Sequence, residues 1–311
     1  MDVDKLTRAA LRKYGNYLPA IATRLRLVSP NVGYWFNKKR HEYLKKIIGQ
    51  DINLKFDKPD FSYSIDPKSQ IFVMWWDEKF TPPIVKICIN TIRESAGLHP
   101  FTLITKENFH ELISQDVALK WDNAIMDHLA TGQLTLTTLS DIIRGWCLYN
   151  FGGIWVDATI FFNLPKIDKM IQNKYFSTRK IQNDQNKNQY VAEGKWSGFF
   201  MMTGKYNPLM KFIYDGIVAI LKNRGSIYEY FTIEYLIAIF YDNNTWFKEL
   251  IDGLEGFALC RDNIDLNEEW TPDLLLRYDR PFYKLSYKTA YQELTSSGKP
   301  TLYKVLLDKY A

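Results

Sequence analysis

The chain has 311 residues, 46% of them hydrophobic and 15% aromatic, enough to bury one large core with a small satellite, which excludes a disordered tail. Its longest apolar runs, Gly216 to Leu221 and Tyr235 to Tyr241, fall far short of the roughly 20 residues that cross a bilayer. The net charge of +5 conceals an asymmetry: residues 1–50 hold eleven Lys and Arg against three Asp and Glu, so the rest of the chain is acidic on balance. A basic amino-terminal arm of this kind suits an anionic surface, membrane lipid or nucleic acid, and is equally what a solvated helix face looks like. Met1 to Tyr14 carries Lys5, Arg8, Arg12 and Lys13 without the apolar block and small-residue cleavage site of a secretory signal, so a cytoplasmic location is expected. Cys88, Cys147 and Cys260 are odd in number and widely spaced, which predicts core fillers instead of disulfides or a zinc site.

Apolar residues recur at helical spacing from Leu6 to Leu27 and from Trp35 to Ile48, with Ser29-Pro30-Asn31 between them. The pattern predicts two amphipathic helices. Asp57 to Asp60 and Asp66-Pro67 read as a linker, and a boundary near residue 60 separates a helical arm, 1–60, from a main domain, 61–311. Gln70 to Trp76 is a buried-strand run, Pro82-Pro83 opens a helix that continues from Ile84 to Ser95, and Phe101 to Thr105 is a second strand. Strand, helix and strand in this rhythm predict an α/β fold with a parallel sheet and right-handed crossovers. Polar helices are expected over Phe109 to Ile113 and Val117 to Leu129. Leu139 to Phe151 reads as a helix capped by Ser140 or Thr138 and stopped by Gly152-Gly153, with a strand from Ile154 to Ile160 after it. A loop over Ser177 to Lys195, a strand over Trp196 to Met202, helices over Pro208 to Leu221 and Tyr228 to Tyr241, and a tail of short strands and turns complete the reading.

Asp141 and Arg144 lie three apart on one helix face, and only two glycines separate that helix from the strand carrying Trp155 and Asp157. Ligands of open parallel sheets collect at the carboxyl ends of the strands. Two carboxylates, a guanidinium and an aromatic ring there suit a sugar diphosphate, although an ordinary ion pair beside a half-buried aspartate has the same pattern.

The string Ser140-Asp141-Ile142-Ile143-Arg144, with Tyr149 and Gly152-Gly153-Ile154-Trp155-Val156-Asp157, resembles the SDxxR…YGGxYxDxD region of glycosyltransferases with a DXD sugar-binding motif. That group takes in family 32 transferases, capsular polysaccharide synthesis proteins and glucosylating clostridial toxins. Phe72 to Trp76, Asn90-Thr91-Ile92-Arg93 with His99-Pro100, Trp196 to Met202 with Asn207-Pro208, and Tyr283 to Lys288 follow in the same order, the last resembling the carboxyl-terminal signature of the capsular branch. The resemblance covers about residues 68–305. It implies a GT-A fold: a Rossmann-like nucleotide-sugar-binding sheet flanked by helices, here with an N-terminal helical extension. By the same resemblance Asp141 and Arg144 contact donor sugar and ribose, Trp155 matches the aromatic before the motif, Asp157 its first aspartate, and Trp75 or Trp76 the residue that stacks on the base. Family 32 relatives retain anomeric configuration.

The DXD position reads Asp157-Ala158-Thr159, so a threonine stands where relatives place the carboxylate that binds Mn²⁺ or Mg²⁺, and a neutral hydroxyl is a poor ligand for such a cation. Two readings stand. Asp157 and Thr159 hold a divalent cation with a further carboxylate such as Asp262 or Asp265; or the leaving diphosphate is met by side-chain cations such as Lys284, Lys288 or Arg261. Either supplies the electrostatic help that breaking a glycosyl phosphate needs. Glu193 and Glu234 are auxiliaries or plain surface charges, and His41, His99, His110 and His128 lack the paired spacing of a metal helix. No phosphate-binding GxxxxGK[ST] loop, GxSxG elbow or GxGxxG fingerprint occurs. The expected function is transfer of a hexose or N-acetylhexosamine from a nucleotide sugar, UDP-linked by resemblance, to a lipid-linked or growing capsular polysaccharide at the membrane's inner face, without nucleic-acid binding. The alternatives are modification of a protein or small glycan, and a degenerate nucleotide-sugar-binding module.

Overall fold

A computed structural model describes residues 17–52, 65–66, 68–114, 127, 129–132, 134–163, 167, 176–177, 188–253, 264–278 and 280–311. Outside them lie the first part of the expected arm, the linker Asp57 to Asp60 with the boundary near residue 60, most of the expected helix over Val117 to Leu129, and Cys260, Arg261 and Asp262.

Helices α1 (Leu18–Val28) and α2 (Pro30–Asp51) form a hairpin around the single extended residue Ser29. Proline at the first position of α2 needs no amide hydrogen there and carries a helical φ. Strand β1 (Ile71–Met74) is followed by α3 (Pro83–Ser95), β2 (Phe101–Ile104), α4 (Phe109–Ser114) and α5 (Leu136–Asn150). Then come β3 (Gly153–Val156), β4 (Ile160–Phe162), β5 (Phe176–Ser177) and β6 (Phe200–Thr203). Helices α6 (Pro208–Arg224), α7 (Thr232–Asn243) and α8 (Thr245–Asp252), strand β7 (Phe282–Lys284) and helix α9 (Leu302–Tyr310) complete the described α-helices and strands. No helix among the described residues is long and apolar enough to cross a membrane.

The main sheet has the order β2-β1-β3-β6-β5. β1 is parallel to β2, with Ile71 beside Phe101, and parallel to β3, with Ile71 beside Ile154. β6 and β5 then add antiparallel, so the expected parallel sheet is a mixed one. Successive side chains of a strand point to opposite faces, and the two cores follow from that alternation. Phe72, Trp155 and Met201 join α2, α5, α6, α7 and α8 on one face. Ile71, Val73, Ile154, Val156, Phe200 and Met202 join α3, α9, β4 and β7 on the other. Leu44, Ile47 and Ile48 of α2 belong to the first core, so this part of the basic arm is a packed layer of the main body. Gly145 lets α5 and α6 approach closely, since a Cβ there would stand 3.1 Å from the Met210 carbonyl oxygen.

Four expectations shift. The run Ile154 to Ile160 is two strands, because the chain leaves the main sheet at Asp157-Ala158-Thr159 and pairs again as β4 with β7. Asp157 therefore stands just past the end of β3, on a turn. The strand expected from Trp196 begins only at Phe200, and α8 and α9 arise where short strands and turns, or nothing, had been expected.

Candidate active site

α5 begins three residues earlier than expected, capped by Thr135, whose hydroxyl accepts the Thr138 amide at 3.2 Å. Leu139, Ile142, Ile143 and Trp146 are buried along it. Its end is built on glycine: Gly152 and Gly153 have φ of 66° and 104°, backbone that other residues rarely adopt. A Cβ on Gly153 would strike the Gln70 carbonyl oxygen, and Gln70 instead accepts the Ile154 amide at 2.9 Å. This short reversal sets Asp141 and Arg144 of α5 beside the end of β3. There the Asp157 amide donates to the Phe199 carbonyl at 2.9 Å and the Asp157 carbonyl accepts from Ile160 at 3.0 Å, fixing the turn.

Arg144 joins the two aspartates: Nη1 lies 2.9 Å from Asp141 Oδ1 and Nη2 lies 3.1 Å from Asp157 Oδ1. Its guanidinium stands 5.0 Å over the Trp155 ring, a cation–π contact, while the Trp155 indole N–H donates to the same Asp157 oxygen at 3.1 Å. The other Asp157 oxygen accepts from Lys284 Nζ at 2.7 Å, and Lys284 also donates to the Thr159 hydroxyl at 2.7 Å. Lys284 is placed by β7, where it lies opposite Ile160, with the Leu285 amide bonded to the Thr159 carbonyl at 2.9 Å. Glu234, in the first turn of α7, accepts the Gly198 amide at 3.1 Å, and Gly198 in turn borders Arg144 Nη1.

Burial pushes Asp141 up to about 7 against the pull of Arg144, with the Asp157 charge adding to the rise. Burial lifts Glu234 to about 7 as well, opposed by the Gly198 amide. Burial also penalises ionised Asp157, but Lys284 and Arg144, with the Lys284 and Trp155 hydrogen bonds, outweigh it and hold this carboxyl below its ordinary value. At neutral pH the centre is an ionised Asp157 bracketed by two fixed cations.

The residues present do not fit the divalent cation expected on Asp157 and Thr159. Such ions gather about six oxygens, mostly carboxylates, carbonyls and waters. Here the one carboxylate has both oxygens engaged by cations, and the threonine hydroxyl already accepts a hydrogen bond from the Lys284 ammonium. Among the described residues no group of three or more His, Cys, Asp or Glu is arranged to hold a metal. Asp265 is occupied in a turn, accepting the Asn267 amide at 2.9 Å.

The remaining expected residues divide. Trp75 and Trp76 follow β1 at the same end of the parallel strands as Asp157. Trp75 meets the Tyr287 ring edge-on at 5.6 Å, whereas Trp76 packs on Phe109 at 4.9 Å and joins the first core. Lys288 is exposed beside Tyr287, 5.9 Å from its ring, and is outside the cluster. Glu193 is an exposed turn residue. His41 and His99 are core histidines, bonded to Tyr235 and the Asn188 carbonyl and to the Ser69 carbonyl respectively. Cys88 and Cys147 are buried and free. Sequence reasoning did not single out Tyr230, half-exposed before α7. Burial and the charges of Asp157 and Asp141 raise its hydroxyl pKa, against a bond with Thr137 that lowers it.

The family comparison gives the class: the chain is a glycosyltransferase. It belongs to the capsular polysaccharide synthesis protein family, whose model matches residues 27–306. No curated protein matches the chain in sequence. Among solved structures it is similar to a PaToxG glycosyltransferase, at 12% identity with a TM-score of 0.43, over 73% of this chain and 82% of that one.

Proposed function

We propose that the chain transfers a hexose or N-acetylhexosamine, with retention, from a nucleotide diphosphate sugar, UDP-linked, onto a lipid-linked or growing capsular glycan, in a GT-A-type site. The observation that carries this reading is Arg144 held between Asp141 and Asp157 just past the carboxyl end of β3, where open sheets bind their ligands. Arg144 Nε is buried without a hydrogen-bond partner, a polar group for which a bound ligand gives a reason. In this reading Asp141 and Arg144 hold donor sugar and ribose hydroxyls, Asp157 keeps Arg144 and Lys284 in place, and Trp75 stacks on the base. Breaking the anomeric bond gathers negative charge on the diphosphate, and cations fixed beforehand stabilise it without reorganisation.

The acceptor side of the proposal places the enzyme at the inner face of an anionic membrane. Its support is the tip of the α1–α2 hairpin, where Leu27 and Val28 are 85% and 86% exposed, with Val32 and Trp35 exposed beside them. Exposed Arg24, Lys38 and Lys39 flank this tip. Apolar side chains ringed by basic ones are the composition of an interfacial anchor.

The test is donor hydrolysis by the purified chain against a panel of nucleotide sugars, wild type beside Asp157→Ala. Hydrolysis of one donor, lost in the variant, is the expected result; no turnover or binding of any nucleotide sugar would overturn the reading.

A further inference from the structure

We propose that the Lys284 ammonium is the resident cation of the donor site and meets the donor diphosphate where a divalent metal would otherwise stand. This inference rests on the transferase reading and deepens it. An ammonium has three donor hydrogens. Two are used, on Asp157 Oδ2 and Thr159 Oγ1, which leaves the third for a phosphate oxygen. The side chain keeps about a fifth of its surface exposed, so it is held and still reachable.

Three features make Lys284 a built position instead of a stray surface contact. Its backbone is locked opposite Ile160 in the β4–β7 ladder, next to the residue whose hydroxyl it binds. Its ammonium lies 5.2 Å over the Phe199 ring, whose face favours a cation. Threonine at position 159 suits it: an aspartate there would place a second negative charge on the ammonium, whereas the hydroxyl holds it without neutralising it.

In the transfer Lys284 keeps its proton throughout. The bond from the anomeric carbon to the diphosphate oxygen breaks and its electron pair stays on that oxygen. The acceptor oxygen forms the new bond to the anomeric carbon, and its proton passes to the departing phosphate. The ammonium offsets the charge that appears there.

The experiment is calorimetric titration of the full chain with uridine and guanosine diphosphate, in EDTA and in Mn²⁺, together with hydrolysis of the matching nucleotide sugar. The expected result is affinity and turnover in EDTA within about twofold of those in Mn²⁺, a loss of at least about tenfold in Lys284→Ala, and substantial retention in Lys284→Arg, still without metal. Should Lys284→Ala fail to fold, the wild-type comparison and Lys284→Arg decide the matter alone. Binding and turnover that vanish in EDTA and return with Mn²⁺ would overturn the role of Lys284 and leave the transferase reading intact. Absence of nucleotide binding in both conditions overturns both.

Discussion

Arg144 and Asp157, thirteen positions apart, are joined by a 3.1 Å ion pair across the junction of α5 and β3. The Arg144 side chain is only 6% exposed and its second nitrogen is spent on equally buried Asp141. Removing one partner of such a pair leaves charge buried without compensation, which costs about 3–5 kcal/mol. Arg144→Ala is expected to lower unfolding free energy by about 3 kcal/mol, read by urea denaturation, and to cut donor turnover by about a hundredfold or more. Arg144→Lys keeps the charge but cannot span both aspartates, so its turnover falls between the two. Wild-type turnover in Arg144→Ala would remove this residue from the site.

Gly198 tests the same geometry from the other side. A Cβ there would stand 3.0 Å from Arg144 Nη1 and 3.5 Å from Glu234 Oε1, close enough to displace a side chain but not a backbone. Gly198→Ala should therefore cost only about 1 kcal/mol of stability while lowering turnover about tenfold or more by shifting Arg144. Equal losses from Gly198→Ala and from alanine at an unrelated buried glycine, with turnover per folded molecule unchanged, would contradict it.

The helix, the glycine pair and the strand that frame this site are legible in the sequence because glycine can stop a helix by means few other residues share, and Gly152-Gly153 does so. Asp157 reads as part of a strand because strand-favouring Ile154 to Val156 and Thr159-Ile160 bracket it, and the turn at Asp157-Ala158-Thr159 goes with the pairing of β4 with β7, more than a hundred residues later. Glu234 resisted for a similar reason. On α7 alone it reads as a surface charge, and its bond to the Gly198 amide is a tertiary contact. Lys284 appeared as one of several cations for the diphosphate; its grip on Asp157 and Thr159 is a tertiary fact.

Protonation of the site feeds into stability with a definite sign. Asp141, raised from 3.8 to about 7, and Glu234, raised from 4.5 to about 7, bind protons more tightly folded than unfolded. Their contribution is complete below about pH 4 and is lost as pH rises through 7. Asp157 is held low, so its contribution is present above its ordinary value and lost only in acid. His41, driven down to about 4 by burial and by Arg40, adds a loss as pH falls below 6.5. Comparison with neutral variants isolates the raised carboxyls: the Tm advantage of Asp141→Asn or Glu234→Gln over wild type should grow by about 3 °C or more from pH 5 to pH 8. Parallel Tm curves would show that neither carboxyl is raised.

Trp75 and Trp76 separate by what they touch. Trp76 packs on Phe109 and the first core, while Trp75 lies against the second core and meets Tyr287 edge-on. Stacking of a base on an aromatic ring is worth about 1–3 kcal/mol, so Trp75→Ala should raise the donor KM of the folded fraction about tenfold. Trp76→Ala should lower stability by about 3 kcal/mol and leave the donor KM of the folded fraction near wild type. The opposite assignment of the two effects would move the base to Trp76.

The hairpin tip makes the acceptor side testable without knowing the acceptor. Leu27 and Val28 end α1, Val32 and Trp35 begin α2, and all four face outward on a turn a single residue long. Burying them in an interface recovers roughly 25 cal/mol per Å² of apolar surface, and nearby Arg24, Lys38 and Lys39 add attraction to anionic lipid that salt screens. Sedimentation with vesicles of phosphatidylglycerol and phosphatidylcholine should bring down the wild-type chain, less so with phosphatidylcholine alone or at high salt. A Leu27→Glu, Val28→Glu double variant should remain in the supernatant yet hydrolyse donor at the wild-type rate, because the tip is remote in sequence from the Asp141, Arg144 and Asp157 cluster and contributes none of its contacts. Vesicle binding unchanged by the two glutamates would assign the tip no part in membrane attachment, and a concentration-dependent dimer abolished by them would assign it to a second copy of the chain.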